Sequence, residues 1–454
     1  MSVQTINPTT EDILATYEIQ SESSVQKAVE ASFDAYTDWR KMPLESRIQC
    51  VKDFAQAMHS ARVPMAEMMT KEMGKLLKDA LSEVDKCVSG CQTLAEQFPK
   101  WHEELLHDLP KGYSVTRAPL GTILGIMPWN FPLWQAVRFA VPALLCGNSI
   151  LLKHAPNTWG SALLMEGLFH QSFPAHLYTN LKIDVSLIPK ILDDNRVRGV
   201  SLTGSVRAGK SVAEQAGARL KKCVLELGGS DAYIVLDDAD VEQAAKICTE
   251  SRLLNAGQSC VAAKRFIVTR KNVPQFTKAM FEIMEKKKFG DPADSKSDLG
   301  PLARKDLRDQ LHKQVQGSID GGAKLILGGK IPEQKGYFYP PSILTNVRPG
   351  TPAFDDELFG PVSAIIEATD DDHAIQLANR SRYGLGSAIF SRDVERAKQL
   401  GATEVESGMT AINDFIRSDA YAPFGGVKES GLGRELGKEG CFEFTNIKTL
   451  QVKA

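Results

Sequence analysis

Apolar residues recur at helical spacing over the first hundred residues. In the stretch SESSVQKAVEASFDAYTDWR, Val25, Val29 and Tyr36 fall on one face of a helix that follows serines suited to capping it. Beyond that region the pattern changes to short apolar runs, such as GTILGIM and NSILLK, that alternate with longer helical stretches. Such alternation is typical of βαβ units and predicts an α/β fold with a parallel sheet.

A second alternating series begins near Ser230. The stretch DAYIVLDDADVEQAAKICTESRLLNAGQSC predicts a strand, an acidic turn and a helix that ends close to Cys260. Because a chain of 454 residues exceeds one ordinary core, the two series predict two α/β domains. Residues 107–121 and 442–453 have the pattern of exposed strands outside both series, and such edges are often covered by another subunit.

The composition narrows the range of partners. Lys and Arg number 54 against 56 Asp and Glu, so the charge favours neither nucleic acid nor an anionic membrane surface, and we expect a small-molecule partner. The N-terminus has no signal-peptide pattern and the eight cysteines are scattered, which favours a cytoplasmic protein with reduced thiols and no metal site.

The apolar segment 120–152 is broken by prolines and polar residues, so it predicts a buried strand–helix–strand unit rather than a membrane span.

Cys260 is the first candidate for chemistry. It follows a Gly-Gln-Ser turn and precedes Lys264 and Arg265. A nucleophilic thiol must be reachable and must ionise readily, which a turn near cations favours. The alternative is a small buried residue at a helix end, and this stretch alone leaves both open.

Two polar residues in apolar surroundings are further candidates. Glu226 stands in the strand-like run CVLELGG, where desolvation raises the pKa of a carboxylate toward the range useful to a general base. Its alternative is a strand-end residue that faces solvent or pairs with a cation. Asn130, in MPWNFPLW, offers an amide donor suited to an oxyanion, although an asparagine at this distance from a proline is also a good helix N-cap.

The turn SLTGSVRAGKSV lies between a predicted strand and a predicted helix. Gly204 and Ser205 there leave N–H groups at a helix N-terminus, an arrangement that suits a diphosphate. The turn matches neither G-x-G-x-x-G nor a P-loop, so an ordinary strand-to-helix turn is an equal interpretation. Glu357, in the acidic turn DDELFGPV, is a weaker candidate because such residues usually face solvent.

Taken in order along the chain, these segments resemble the aldehyde dehydrogenase superfamily. The resemblance runs from about residue 5 to the C-terminus, and the chain is most similar to bacterial succinate-semialdehyde dehydrogenases. It rests on the segments PWNFP (128–132), LLKHAPN (151–157), TGSVRAG (203–209), LELGG (225–229), GQSC (257–260), ELFGPV (357–362) and PFGGVKESGLGRE (423–435).

This resemblance implies a fold with a Rossmann-like cofactor domain, a second α/β catalytic domain and a small oligomerisation arm. We expect the cofactor domain at residues 1–107 and 120–228, the catalytic domain at 229–441, and the arm at 108–119 and 442–454. A homodimer or a homotetramer is expected by the same resemblance.

The resemblance also assigns roles to residues. Cys260 is expected to attack an aldehyde, with the Asn130 amide at the resulting oxyanion, and Glu226 is expected to activate the water that hydrolyses the thioester. No step calls for a metal. The residues expected to bind the nicotinamide cofactor are Trp129, Lys153, Gly204, Ser205, Glu357 and Phe359.

Two positions match succinate-semialdehyde dehydrogenases and bear on the expected substrate. Arg138 matches an arginine of those enzymes, and Ser418 matches a serine at their substrate mouth. An arginine fork binds a remote carboxylate well, so the resemblance implies oxidation of succinate semialdehyde to succinate. The alternatives are a helix-surface or subunit-contact role for Arg138, and a broad-specificity or other short-chain aldehyde dehydrogenase.

The cofactor is expected to be NADP or NAD, with NADP favoured. Many NAD-preferring members of the family place a glutamate three residues after the lysine, where it repels a 2′-phosphate. This chain has Pro156 at that position, so the repulsion is absent while Lys153 remains. Arg207 and His154 are candidates for further contacts to the phosphate.

Two other classes of function are weighed against this one. A thiol hydrolase or acyltransferase needs a histidine base, and none of the eight histidines lies in a recognisable catalytic motif. A non-catalytic binding or structural protein on the same fold is disfavoured because Asn130, Lys153, Glu226 and Cys260 occur together.

Overall fold

The computed structural model describes residues 2–453, whose strands form four sheets. The strands are β1 (Ser2–Ile6), β2 (Ile13–Glu18), β3 (His107–Leu109), β4 (Tyr113–Pro119), β5 (Thr122–Met127), β6 (Ser149–His154), β7 (Tyr178–Asn180), β8 (Val197–Thr203), β9 (Lys222–Glu226), β10 (Ala232–Val235), β11 (Arg265–Thr269), β12 (Lys324–Leu327), β13 (Ser342–Thr345), β14 (Val362–Ala368), β15 (Gly386–Phe390), β16 (Met409–Ile412), β17 (Gly431–Leu432) and β18 (Thr445–Gln451).

Helices connect most of these strands. They are α1 (Glu22–Trp39), α2 (Leu44–Ser60), α3 (Arg62–Met73), α4 (Leu77–Glu104), α5 (Trp134–Leu145), α6 (Trp159–Ser172), α7 (Ile188–Asp193), α8 (Val206–Gly217), α9 (Val241–Leu253), α10 (Val273–Met284), α11 (Lys305–Asp320), α12 (Pro352–Asp355), α13 (Asp371–Asn379), α14 (Val394–Thr403) and α15 (Gly437–Cys441).

The first sheet has the order β17-β9-β8-β5-β6-β7, with β5 to β9 parallel. Helices cover both faces: α2, α4, α5 and α6 bury one apolar cluster, while α1, α7 and α8 bury the other. Both faces of the strands are therefore apolar, as parallel sheets require. The predicted α/β fold is confirmed, and segment 120–152 forms the predicted strand–helix–strand unit as β5, α5 and β6.

The second sheet has the order β12-β13-β14-β11-β10-β15-β16 and is parallel except for β12. Buried apolar residues fill both of its faces as well. Cys260 lies in the loop that enters β11, and Glu226 is the last residue of β9 in the first sheet. The charge of Arg138 acts on both residues, so the two sheets bring them close to one side chain.

A third sheet stands apart from these two. β18 pairs antiparallel with β4 along its whole length, and β3 completes the sheet. Apolar side chains are exposed here: Ile447 in β18 is 61% exposed, and Val452, just after β18, is 68% exposed.

Two features differ from the sequence-based interpretation. The pattern indicated that the first hundred residues are mainly helical, but this region begins with an antiparallel hairpin of β1 and β2. The short strand β17 pairs with β9 of the first sheet, although the sequence placed residues 229–441 in the second domain. No helix within residues 2–453 is long and apolar enough to cross a membrane.

Candidate active site

A cleft of about 870 Å³ between the two main sheets collects most of the residues singled out in the sequence. Its walls come from the ends of β5, β8 and β9, from the loop before β11 and from helix α11. Arg138, Lys153, Glu226 and Ser418 lie outside this lining. The lining includes Trp129, Asn130, Gly204, Ser205, Cys260, Glu357 and Phe359.

The loop that carries Cys260 has an unusual backbone. Asn255, Ala256 and Gly257 have φ angles of +53°, +53° and +76°, in the left-handed region that costs energy for side chains other than glycine. A Cβ on Gly257 would lie 2.3 Å from the carbonyl group of Gly360, so only glycine fits there. The buried Arg252 guanidinium donates to the Gly257 carbonyl at 2.5 Å and holds the turn in place.

The Cys260 thiol is half-buried at the end of this turn. Burial raises the pKa of the thiol to about 11, while the cations of Arg138 and Lys264 act in the opposite direction. Lys264 lies behind the thiol, and its Nζ donates to the carbonyl oxygens of Ser259 at 2.9 Å and of Cys260 at 2.7 Å. The thiol is therefore protonated at neutral pH until a base or a bound ligand changes its surroundings.

The side chain of Asn130 is held at both ends. Its Nδ2 donates to the Gln258 carbonyl at 3.1 Å, and its Oδ1 accepts from Gln135 Nε2 at 3.0 Å. These bonds orient the NH₂ group toward the loop of Cys260 and leave its second N–H for another acceptor. Asn130 is not a helix cap, because α5 begins at Trp134 with Leu133 in the cap position.

Glu226 is 2% exposed, and neither of its carboxylate oxygens has a hydrogen-bond partner among the described residues. Burial and the nearby carboxylate of Glu435 raise the pKa of Glu226 well above its usual value, while Arg138 and Arg434 oppose that shift. The solvent-facing alternative for Glu226 is therefore wrong. A buried carboxyl without a partner suits a group that exchanges a proton with water.

Arg138 is 3% exposed and is already paired. Its Nε lies 2.5 Å from Glu435 Oε2, its Nη2 donates to Thr203 Oγ1 at 3.2 Å, and its guanidinium lies over the ring of Phe424. The structure thus places the guanidinium in the interior, whereas the sequence hypothesis needed it free for a substrate carboxylate. The helix-surface alternative also fails, because the side chain is buried.

The turn before α8 has the geometry of an anion site. Ser205 is the N-cap of α8, and its Oγ accepts from the backbone N–H of Ala208 at 3.3 Å. Gly204 has open space in front of it, since a Cβ there would meet only Leu202 at 3.5 Å. Unpaired N–H groups at the start of a helix, opening on a cleft, fit a diphosphate.

Lys153 is the next-to-last residue of β6 and is 6% exposed. Burial lowers the pKa of its ammonium group, and the carboxylate of Asp184 acts in the opposite direction. A nearly buried cation on a strand end, followed by the turn that contains Asn157, suits a hydroxyl or phosphate ligand. Asn157 has both side-chain polar atoms buried and without partners among the described residues.

His154 does not belong to this anion site. Its ring nitrogens contact the Pro132 carbonyl and Thr158 Oγ1, both at 2.9 Å. Burial lowers the pKa of His154 to about 4, so the ring is neutral. The hypothesis that His154 binds a phosphate is therefore wrong, whereas Arg207 is exposed and lines the cleft.

Glu357 lies on the opposite wall of the cleft. One oxygen accepts from the Gly229 N–H at 3.0 Å and lies 3.4 Å from Lys264 Nζ. A Cβ on Gly228 would lie 2.5 Å from the other oxygen, which explains the glycine at this position. Trp129 and Phe359 face each other edge to face at 5.8 Å across the same cleft.

Ser418 lies away from the cleft. Its Oγ accepts from Lys86 Nζ at 2.9 Å and from Trp134 Nε1 at 2.8 Å. The sequence analysis gave no role to Lys86 or Glu435 and noted Lys264 only as a cation that follows Cys260. Glu435 is the last residue of the segment PFGGVKESGLGRE, which was the available signal for it.

The chain is similar to known proteins in both sequence and fold. The model of the aldehyde dehydrogenase family matches residues 1–450. The chain belongs to the aldehyde dehydrogenase family. It is 44% identical to the succinate semialdehyde dehydrogenase [NAD(P)+] Sad of Escherichia coli (strain K12), over 98% of this chain and 96% of that protein.

Two further relatives carry similar names. The succinate-semialdehyde dehydrogenase [NADP(+)] of Deinococcus radiodurans is 43% identical over 98% of this chain and 94% of its own. The crystal structure of succinic semialdehyde dehydrogenase from Streptococcus pyogenes with NADP+ superposes with a TM-score of 0.96, at 37% identity and full coverage of both chains. The resemblance found in the sequence is thus confirmed for family and fold.

Proposed function

We propose that this aldehyde dehydrogenase oxidises succinate semialdehyde to succinate with NADP, and less well with NAD. The observation that carries the proposal is the meeting of Cys260, Asn130 and the N-terminus of α8 in one cleft, with Glu226 buried beside it. The names of the relatives from Escherichia coli and Deinococcus radiodurans supply the aldehyde and the cofactors.

The first chemical step is assigned to Cys260. Its sulfur adds to the aldehyde carbon as the thiol proton passes to a water molecule, and the carbonyl oxygen becomes an oxyanion. The second N–H of Asn130 Nδ2 and the backbone N–H of Cys260 are the donors for that oxyanion. A nicotinamide bound in the cleft supplies the hydride acceptor, and loss of the hydride leaves a thioester on Cys260.

Hydrolysis of the thioester is assigned to Glu226. Its carboxylate takes a proton from a water molecule, the hydroxide adds to the thioester carbon, and the C–S bond breaks to release the acid and the thiol. A raised pKa makes the carboxylate a stronger base than an exposed glutamate, since it binds a proton more tightly.

The residues of the cleft fit a nicotinamide dinucleotide. The N-terminus of α8, with Gly204 and Ser205, suits the diphosphate, and Glu357 suits the hydroxyls of the nicotinamide ribose. Lys153 suits the adenosine ribose, where Pro156 brings no negative charge to repel a 2′-phosphate. Trp129 and Phe359 are assigned to the walls around the nicotinamide.

The same proposal includes a homo-oligomer, a dimer or a tetramer, in the cytoplasm. The exposed apolar side chains of Ile447 and Leu450 in β18, and of Val452 just after it, support a subunit contact, since such surface is usually covered. All eight cysteines are free thiols, which suits a reducing compartment.

The test is a steady-state assay of reduced nicotinamide by its near-ultraviolet absorbance, with succinate semialdehyde and butanal compared under each cofactor. Butanal has the same four carbons without the carboxylate. We expect a higher kcat/KM for succinate semialdehyde, and a higher kcat/KM for NADP than for NAD. Equal constants for the two aldehydes would refute the proposed substrate, and absence of reduced cofactor with any aldehyde would refute the proposed activity.

A further inference from the structure

Lys264 is a buried cation that no step of the proposed mechanism uses. It is 1% exposed and directly precedes β11. Its backbone N–H donates to the Asp231 carbonyl at 3.2 Å, and its own carbonyl accepts from the Ala364 N–H at 3.3 Å. The backbone of Lys264 is therefore held by the second sheet. Because a charged side chain is buried only where polar groups compensate it, the contacts of its ammonium group indicate what it does.

The ammonium group lies among the carbonyl groups around the nucleophile loop, which we define as residues 255–260. Its Nζ donates to the carbonyl oxygens of Ser259 at 2.9 Å, of Cys260 at 2.7 Å and of Ala262 at 3.4 Å. An ammonium group has three N–H bonds, and these acceptors together with Glu357 take all of them. Lys264 therefore has no N–H left for a substrate, and its contacts are with the protein itself.

Glu357 is the charged member of this set of acceptors and belongs to the opposite wall of the cleft. Its Oε1 lies 3.4 Å from Lys264 Nζ and accepts from the Gly229 N–H at 3.0 Å. The Glu357 side chain is 20% exposed. Without Lys264, the bond from Gly229 alone would orient this carboxylate among the described residues.

The backbones on the two sides of this ion pair also meet. A Cβ on Gly257 would lie 2.3 Å from the carbonyl group of Gly360, and the buried Arg252 donates to the carbonyls of both Gly257 and Leu358. Arg252 thus joins the main chain of the nucleophile loop to the main chain beside Glu357. Lys264 joins the main chain at Cys260 to the Glu357 carboxylate itself.

The positive charge of Lys264 also acts on the Cys260 thiol. Burial raises the pKa of the thiol to about 11, and the carboxylates of Glu357 and Asp231 add to the rise. Arg138 on α5 and Lys264 act in the opposite direction. A nearby positive charge favours the ionised form of a thiol, and the thiolate is the nucleophilic form. Lys264 is thus one of the two cations that favour the reacting form of Cys260.

We propose that Lys264 is a positioning residue of the reaction, which holds the nucleophile loop against Glu357 and places a positive charge beside Cys260. The inference rests on the proposed function, because it takes Cys260 as the nucleophile and Glu357 as a ligand of the nicotinamide ribose. It goes further, since one buried side chain then governs both the reactivity of the thiol and the orientation of a cofactor ligand. Both effects can be measured without turnover.

The first test is the rate of Cys260 alkylation by iodoacetamide in cofactor-free enzyme, with Cys260→Ala to correct for the other cysteines. In Lys264→Met we expect the rate at neutral pH to fall about tenfold, because loss of a nearby opposite charge typically raises a thiol pKa by about one unit or more. Lys264→Gln keeps a hydrogen-bond donor without the charge, and we expect the same loss. Lys264→Arg keeps donors and charge, and we expect it to recover part of the parent rate.

The second test is the dissociation constant of NADP, measured by protein fluorescence. We expect Lys264→Met and Glu357→Gln each to weaken binding about 3- to 10-fold, since each removes the pair that orients the carboxylate. The double variant is expected to bind no more weakly than Glu357→Gln alone, because the two residues act through one contact. Lys246→Met, at an exposed lysine on α9, is the matched control and leaves the alkylation rate and the dissociation constant unchanged.

The outcomes separate this inference from the proposed function. Parent-like alkylation in folded Lys264→Met and Lys264→Gln overturns the role of Lys264 alone, as do losses of NADP affinity that simply add in the double variant. Equal recovery in Lys264→Gln and Lys264→Arg overturns it as well, and indicates that the side chain only hydrogen-bonds the loop. Lys264→Gln serves by itself if Lys264→Met does not fold. Turnover by Cys260→Ala overturns the proposed mechanism, and the inference about Lys264 with it.

Discussion

Arg138 and Glu435 form an ion pair in the interior of the protein, with Nε and Oε2 at 2.5 Å and side chains that are 2% and 5% exposed. Glu435 also accepts a hydrogen bond from Ser201 Oγ at 3.2 Å. Breaking a buried pair from one side leaves the other charge without compensation, which typically costs about 3 to 5 kcal/mol of folding free energy. The pair therefore has consequences for stability that can be separated from any role in substrate binding.

We expect Arg138→Met to lower the free energy of unfolding by about 3 kcal/mol or more, because Glu435 is left buried and unpaired. The double variant Arg138→Met/Glu435→Gln recovers part of that loss. Chemical denaturation of the parent, of Arg138→Met, of Glu435→Gln and of the double variant measures the coupling between the two sites. Catalytic losses in Arg138→Met are expected to be the same for succinate semialdehyde and butanal, and a loss confined to succinate semialdehyde would restore Arg138 as a substrate ligand.

The pH dependence of thioester hydrolysis is expected to follow Glu226. Only the deprotonated carboxylate accepts a proton from water, so the rate rises with pH through the raised pKa of Glu226 and is lost as pH falls below it. The carboxylate of Glu435 contributes to the raised pKa, so Glu435→Gln shifts the acidic limb of the profile to lower pH. A shift to higher pH, or none in a variant that binds cofactor normally, contradicts this assignment.

The Glu226→Gln variant tests the same residue by a different route. The first turnover forms the thioester without the carboxylate, so we expect a burst of reduced cofactor equal to the enzyme concentration, followed by a stall. Rapid mixing with absorbance detection measures the burst. Absence of a burst in a folded variant indicates instead that Glu226 activates the Cys260 thiol.

Cys260→Ala is expected to abolish aldehyde oxidation while cofactor binding is nearly retained, because the thiol forms the covalent bond to the aldehyde and does not hold the cofactor. Titration by protein fluorescence measures the binding. Cys223→Ala is the matched control, since Cys223 is also half-buried and burial raises its pKa to about 11 as well. Turnover by Cys260→Ala, or its loss in a folded Cys223→Ala, contradicts the assignment of the nucleophile.

The family, the two parallel sheets and the strand–helix–strand unit at 120–152 were predictable because each depends on local pattern and on short motifs. Local patterns also indicated which residues carry reactive groups, such as Cys260 and Glu226. What surrounds those groups was not predictable. Glu226 and Glu435 are distant in sequence, and the pairing of β17 with β9 helps to bring the segment that contains Glu435 back to the first sheet.

Arg138 and Lys86 are two further residues whose contacts could not be predicted from the local sequence. Arg138 stands on a helix that is buried on every side, so its charge had to be paired inside the protein, and the partner lies far along the chain. Lys86 looks like an ordinary helix-surface lysine in the sequence, and becomes notable only because Ser418 and Trp134 fold against it. Ser418 was predicted at the substrate mouth, and that role stays a prediction.

The choice between NADP and NAD is expected to depend on the charge at position 156. Pro156 begins a short turn directly after β6, close to Lys153 and Asn157, and it brings no charge to the place where a ribose phosphate would lie. Two like charges at about 4 Å oppose each other by ~1 to 4 kcal/mol, depending on the local dielectric. A carboxylate here would therefore change the ratio of the two cofactors by tenfold or more.

We expect the parent enzyme to have a higher kcat/KM for NADP than for NAD, and Pro156→Glu to lower the ratio of the two constants at least tenfold. Pro156→Gln is the matched control, because it removes the proline ring and adds a side chain of similar size without a charge. It is expected to leave the ratio within about threefold of the parent, since the repulsion of the 2′-phosphate requires a negative charge. Equal shifts in both variants would assign the effect to the shape of the turn, and a parent that strongly prefers NAD, with no further loss of NADP use in Pro156→Glu, would show that another residue sets the choice.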